Sequence, residues 1–227
     1  VWECLGHDNV CMIGYNAVSP LVDAVLKDVE GIDANQVYAA VRAAAMSTEK
    51  HSPNYDKNGM EEYIRLGFVP AELNCAVSKT TEQNYYDWCI AMLAKKLGHT
   101  DDVQLFLERS IGYRNLYNPE TRFLDSKYTT GEWREMDSTV WGDLIGNYVS
   151  GNRWAYSTFV PHDVQGLINL IGGREEFAAW LEEIFTDTST IAGDNHVDIS
   201  GFIGKYGHGD EPGHHAPYLY SYAGQPW

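Results

Sequence analysis

The segment His208–His215, HGDEPGHH, packs three histidines, an aspartate and a glutamate into eight residues. Such a set can bind a metal, serve as a catalytic acid in a sugar cleft, or form a polar turn before a buried helix. Zinc accepts His and carboxylate ligands, but the spacing matches no paired signature such as H-E-x-x-H. Glu211-Pro212 points elsewhere. Proline stiffens the backbone beside the carboxylate, and a helix starting at Pro212 leaves Glu211 on a rigid rim. A carboxyl held against aromatic surface has a raised pKa and can give a proton to a leaving group.

Three other segments concentrate unusual residues. Ser150–Gly166 carries Asn152, Arg153, Trp154, Tyr156, His162 and Asp163, side chains suited to binding polyols. Pro161 breaks an extended run there, and His162-Asp163 caps the helix that follows. The plainer reading leaves Asp163 as a cap and Trp154 in the core. Tyr85–Cys89, YYDWC, places Asp87 and Trp88 on a helix, whose plainer reading is one buried tryptophan. Asp198–Asp210 holds four glycines, which permit close approach to a ligand or simply turn the chain.

Composition narrows the partners. With 16 basic against 32 acidic residues the net charge is −16, which repels nucleic acid and anionic lipid. Sugars and calcium fit better. Aromatic residues make up 13% of the chain, including 15 Tyr and 7 Trp, and such rings stack on sugars or fill a core. No apolar run reaches the roughly 20 residues of a membrane helix. Cys4, Cys11, Cys75 and Cys89 show no zinc spacing, and free buried thiols are the default reading. The N-terminal VWECLGHDN lacks the basic start and apolar run of a signal peptide. Both ends read as interior sequence, so a piece of a longer protein is expected.

The elements that must position these residues are mostly helical. Helices are predicted over Ser19–Val29, Asp33–Ser47 with Asp33 as cap, Asn58–Gly67, Ser78–Gly98 and from Thr100 onward. The last two are separated by so short a loop that they form an antiparallel hairpin. Thr121–Glu135 alternates around a Thr-Gly turn and is predicted to be a small hairpin. His162–Gly173 and Arg174–Asp187 form a second helical pair divided by Gly172-Gly173. A polar loop, Thr186–Asp198, follows, and Tyr218–Tyr222 is predicted to be a buried helix. The fold class is all-α: helical hairpins of a bundle, solenoid or α/α toroid, with no exact repeat to favour the solenoid.

The segment GHGDEPGHHAPYLYSYAGQPW resembles the hallmark of glycoside hydrolase family 92, the calcium-dependent exo-α-mannosidases. SKTTEQNYYDWCIA, YNPETRFL and SGNRWAYSTFVPHDV resemble further family segments in the same order. The resemblance runs nearly end to end. It implies that residues 1–227 are part of a single (α/α)6 toroid catalytic domain, with an N-terminal β-sandwich and a C-terminal remainder absent. It also implies an inverting mechanism with Glu211 as general acid, Ca2+ on the sugar, and the general base beyond Trp227. Trp154, His162, Asp163, His214, His215, Asp87 and Trp88 match positions that line or brace the cleft, with metal ligands unassigned. The implied partners are mannose-terminated glycans of N-glycan or mannan type and the rest of the parent chain, in a secreted, periplasmic or cell-surface location. Ser150 and Ala155 depart from the family's Glu and Gln, which leaves open a non-catalytic glycan-binding or scaffold protein.

Overall fold

The computed structural model describes residues 13–48, 59–135, 147–149, 151–189 and 201–227. These fold mainly as helices: α1 (Val18–Leu26), α2 (Ala34–Met46), α3 (Met60–Leu66), α4 (Ala76–Leu97), α5 (Thr100–Ser110), α6 (Arg153–Thr158), α7 (Val164–Ile171), α8 (Arg174–Thr186) and α9 (Leu219–Tyr222). Two minimal antiparallel pairs accompany them. Strands β1 (Tyr117–Asn118) and β2 (Phe123–Leu124) form one, and β3 (Phe202–Ile203) and β4 (Tyr206–Gly207) the other. The architecture is the expected all-α set of helical hairpins with a small extended insertion. Cys4, Cys11, Asn58, Ser150 and most of the predicted loop Thr186–Asp198 lie outside the described residues.

Local signals explain most boundaries. Asp33 caps α2, its carboxylate accepting from the Asn35 and Gln36 amides, which satisfies donors that the first turn leaves open. Helix α4 ends at Gly98 with φ +82°, a left-handed stop that glycine adopts without strain. Helix α5 follows at once, antiparallel to α4. Gly172-Gly173 separates α7 from α8. The Lys127–Trp133 bridge closes a second small turn around Thr130-Gly131.

Three expectations need correction. Helix α4 begins two residues before Ser78, which sits buried inside it as the acceptor of the Val149 amide at 3.0 Å. The run after Ser150 is not extended: Arg153–Thr158 is helical because the Asn152 side chain accepts from the Ala155 amide at 2.9 Å. In the tail, Leu219 is buried, but Tyr218 and Tyr222 are 74% and 55% exposed. A helix of four residues turns only one side inward.

Helix α4 is the axis of the fold. Apolar residues from α1, α2 and α5 pack on one side of it: Val18, Val22, Val25, Tyr38, Val41 and Phe106. A second core around Tyr156, Leu167, Ile168, Phe177, Trp180 and Leu181 joins α6, α7 and α8. The N-terminal half of α4 is buried although Ser78, Lys79, Thr80, Thr81, Gln83, Asn84 and Asp87 are polar. Buried polar groups need partners, and α4 finds them on other elements. Thr80 Oγ1 accepts from the Val69 amide at 2.9 Å, and Asn84 Oδ1 from the Tyr113 amide at 2.6 Å. Asp87 Oδ2 accepts from Tyr63 at 2.6 Å and from Arg109 Nε at 2.9 Å. Burial pushes the Asp87 carboxyl up, while Arg109 and Tyr63 pull it down. The Arg109 guanidinium also donates to the Ala45 carbonyl and lies over the Tyr63 and Phe106 rings.

Removing one partner of a buried charge pair strands the other. Asp87→Ala is therefore expected to lower the unfolding free energy of the intact protein by about 3–5 kcal/mol, and Asp87→Asn by less, because an amide oxygen still accepts from Tyr63. Denaturant unfolding of the two variants measures the difference.

Candidate active site

Glu211 opens a 3-10 turn, Glu211–Gly213, with Pro212 in its first turn. Its side chain is exposed, on the rim that Glu211-Pro212 predicts. The turn packs against α6. Gly213 donates to the Asp210 carbonyl at 3.1 Å and His214 to the Glu211 carbonyl at 3.1 Å. The buried carboxyl of the segment is the preceding residue, Asp210, at 2% exposure. Its Oδ2 has no hydrogen-bond partner. Burial first, and the adjacent Glu211 charge second, push its pKa up to about 8. A Cβ at Gly151 would stand 3.0 Å from Asp210 Oδ2 and 3.0 Å from the Tyr156 ring, so a glycine at 151 makes room for this carboxyl.

Both histidines after Glu211 bond to backbone. His215 Nε2 lies 2.6 Å from the Thr158 carbonyl at the end of α6, and His214 Nε2 lies 2.8 Å from the His208 carbonyl. An imidazole facing a carbonyl must donate, so each carries its proton on Nε2. Burial lowers the His215 pKa, which keeps that ring neutral. His208 in turn meets the Tyr206 hydroxyl at 2.8 Å. Among the described residues, no group of three or more His, Cys, Asp or Glu side chains could hold a metal ion.

Trp154 is half-buried at the start of α6, with Phe123 against its edge at 5.8 Å and the Lys205 ammonium 5.6 Å from its ring. Lys205 is itself buried and bonded to the Ser189 carbonyl. Trp88 and His162 meet each other, their rings 6.4 Å apart, and both meet Tyr85. Phe159 links this group to the turn, lying 6.3 Å from Tyr85 and 5.7 Å from His215. The structure thus joins Glu211, His214, His215 and Trp154 around α6, and ties Trp88 and His162 to them through Phe159. His162 Nε2 donates to the Ser110 carbonyl, 2.8 Å away, and its buried Nδ1 has no partner.

The two aspartates of the predicted set stand apart from Glu211. Asp87 is fully buried in the Tyr63–Arg109 network. Asp163 caps α7, accepting from the Gly166 amide at 3.0 Å, while its other oxygen takes the Tyr113 hydroxyl and the Arg114 guanidinium, each at 2.8 Å. Sequence reading passed over Asp210 and Glu82. Glu82 accepts from the Tyr86 hydroxyl at 2.5 Å, and burial raises its pKa. Its position on the Tyr85–Tyr86 side of α4 was the available signal.

Residues 1–227 match the profile of the glycosyl hydrolase family 92 catalytic domain. The chain belongs to this family. It is 39% identical to a family GH92 α-mannosidase from Bacteroides thetaiotaomicron, solved in complex with mannoimidazole, with a TM-score of 0.85 over 96% of this chain and 28% of that one. A family GH92 inverting mannosidase from the same organism is 38% identical, with a TM-score of 0.83 over 100% of this chain and 32% of that one. An uncharacterized secreted glycosidase of Arthroderma benhamiae is 28% identical over 94% of this chain and 29% of its own length. The family 92 chain therefore spans about a third or less of these relatives.

The Asp163 bonds separate by substitution. Asp163→Asn keeps a capping oxygen and loses a half-exposed ion pair, a change expected below about 1 kcal/mol. Asp163→Ala also removes the cap and strands the buried Tyr113 hydroxyl, together about 2–3 kcal/mol. Thermal unfolding of both variants checks the order.

Proposed function

We propose that the intact protein is an exo-α-mannosidase that removes terminal α-linked mannose from glycans with inversion, using Glu211 as general acid. The observation that carries the reading is the placement of Glu211: an exposed carboxylate on a proline-stiffened turn, pinned by His214 and His215 to backbone carbonyls and backed by α6. In an inverting hydrolysis one carboxylic acid protonates the leaving oxygen and a second carboxylate activates water on the opposite face. Glu211 fits the first role. The second is assigned to the parent beyond Trp227, as the family resemblance implies. The partly exposed Trp88, Tyr85 and Phe159 rings offer apolar faces to a pyranose, and His162 lies beside Trp88 and Tyr85. Asp87 anchors α4, which carries Tyr85 and Trp88, and Asp163 caps α7 next to His162.

Calcium belongs to this reading through the family resemblance. The ion takes roughly six to eight oxygen ligands. Among the described residues no group of three or more His, Cys, Asp or Glu side chains could hold it, and no ligand is assigned among them. The secreted relative and the glycan substrate support an extracytoplasmic location. Among the described residues no helix is long and apolar enough to cross a membrane.

In the full-length protein, Glu211→Gln is expected to lower kcat on unactivated α-mannosides at least about 100-fold with KM nearly unchanged. Steady-state kinetics check this, and retained activity on such a substrate removes Glu211 from the acid role. The 227-residue chain alone is expected to show no turnover, because one carboxylic acid cannot also deliver the water. Ala155, which brings no amide to α6, favours the alternative of a glycan-binding protein without chemistry. Calorimetry of the full-length protein with mannose and calcium, beside an activity assay, separates the two: binding without turnover supports the alternative.

A further inference from the structure

Among the described residues three carboxyls, Asp87, Asp125 and Asp210, are almost completely buried and differ in what surrounds them. Asp125 has Arg153, Asn118 and Thr121. Asp87 has Arg109 and Tyr63. Asp210 has neither. Its Oδ2 has no partner, and what lies against it is Gly151 and the Tyr156 ring. Among the described residues, the charged and titratable groups around it offer no cation. Glu211, the next residue, is a second acid rather than a cation. Tyr156 on α6 is a buried phenol whose pKa is raised by burial, with Glu82 of α4 on it as well as Asp210. The Lys205 ammonium, before β4, is turned to the Ser189 carbonyl and Asp187. Arg153 of α6 is held by Asp125. His208 and His214 are engaged with Tyr206 and the loop backbone, and His215 with Thr158.

We propose that Asp210 is a positioning residue for Glu211, holding the Glu211–Gly213 turn in place only while its own carboxyl keeps its proton. The inference rests on the reading of Glu211 as the general acid. An ionised carboxylate at this place would be a buried charge without a counter-ion, next to a second carboxylate. Such a group is driven toward water. Its backbone carbonyl accepts the Gly213 amide, so any movement of Asp210 toward solvent moves the turn and Glu211 with it. The pKa of about 8 places the change just above neutral pH.

Linkage gives a readout independent of catalysis. The folded-state pKa lies above the unfolded value of about 3.9. The folded state therefore holds a proton that the unfolded state has lost, and stability falls as pH rises from about 4 to about 8. Below that window both states are protonated, and above it both are ionised. An amide has no proton to lose, so Asp210→Asn escapes this dependence.

The test compares wild type, Asp210→Asn, Asp210→Ala and Glu211→Gln in the full-length protein. For Asp210→Asn the alkaline limb of kcat/KM against pH, which falls about tenfold per pH unit in the wild type, is expected to move to higher pH. Its Tm advantage over wild type is expected to grow between about pH 4 and pH 8 and then hold constant. Asp210→Ala keeps the backbone bond to Gly213 and has no charge to expel, so its alkaline limb is expected to move in the same direction as that of Asp210→Asn. An alkaline limb that is unchanged or moved to lower pH in Asp210→Asn overturns the proposal, even if the Tm gap opens as expected. A Tm gap independent of pH also overturns it. An active Glu211→Gln enzyme instead sinks the acid assignment, and the Tm series then reports on Asp210 alone.

Discussion

Helix α4 lies between the two cores, yet the half of it nearest the site carries serine, lysine, threonine, glutamine, asparagine and aspartate inside the protein. Apolar packing is non-directional and would let such a helix slide or rotate. Buried hydrogen bonds are directional and costly to leave unmade. Ser78, Thr80, Asn84 and Asp87 are each matched to a group on a different element: the Val149, Val69 and Tyr113 amides and the Tyr63–Arg109 pair. That matching fixes α4 in register and rotation. Tyr85, Trp88 and Glu82 inherit their positions from it.

The candidate site depends on this fixed axis at one remove. Tyr85 on α4 touches Phe159, and Phe159 touches His215 beside the Glu211 turn. Helix α6 supplies the other support through the Thr158 carbonyl. The turn is therefore held by backbone acceptors and by the imidazoles of His214 and His215. Among the described residues no ion pair holds Glu211, and its exposed carboxyl is placed by its frame.

Asp87 and Asp210 show how burial separates scaffold from chemistry. Both are removed from water, which disfavours the ionised form. Arg109 and Tyr63 compensate Asp87, and the result is a structural ion pair deep in the fold. Asp210 has no such compensation and sits one residue from the candidate acid. An uncompensated buried group is an expensive feature for a fold to keep, and such groups concentrate where function demands them.

Much of the secondary structure was legible because its signals are local. The Asp33 cap, the Gly98 stop, the Gly172-Gly173 break and the Asp163 cap are each decided by side-chain and backbone chemistry within one turn of the chain. Glu211 on a stiff rim was legible for the same reason, since Pro212 acts on its immediate neighbour. The early start of α4 and the short helix α6 were not, because Ser78 and Asn152 are used through contacts that periodicity does not encode. The family segments themselves, and so the membership of the chain, were also readable from residue order. Tertiary structure alone decided which acidic residues are buried with partners and which without. Asp87, Asp210 and Glu211 look alike in sequence. Burial and the distance to the nearest cation are set by elements far apart in the chain, and among the described residues those two quantities make one a buried ion pair, one a buried acid without a partner and one an exposed carboxyl.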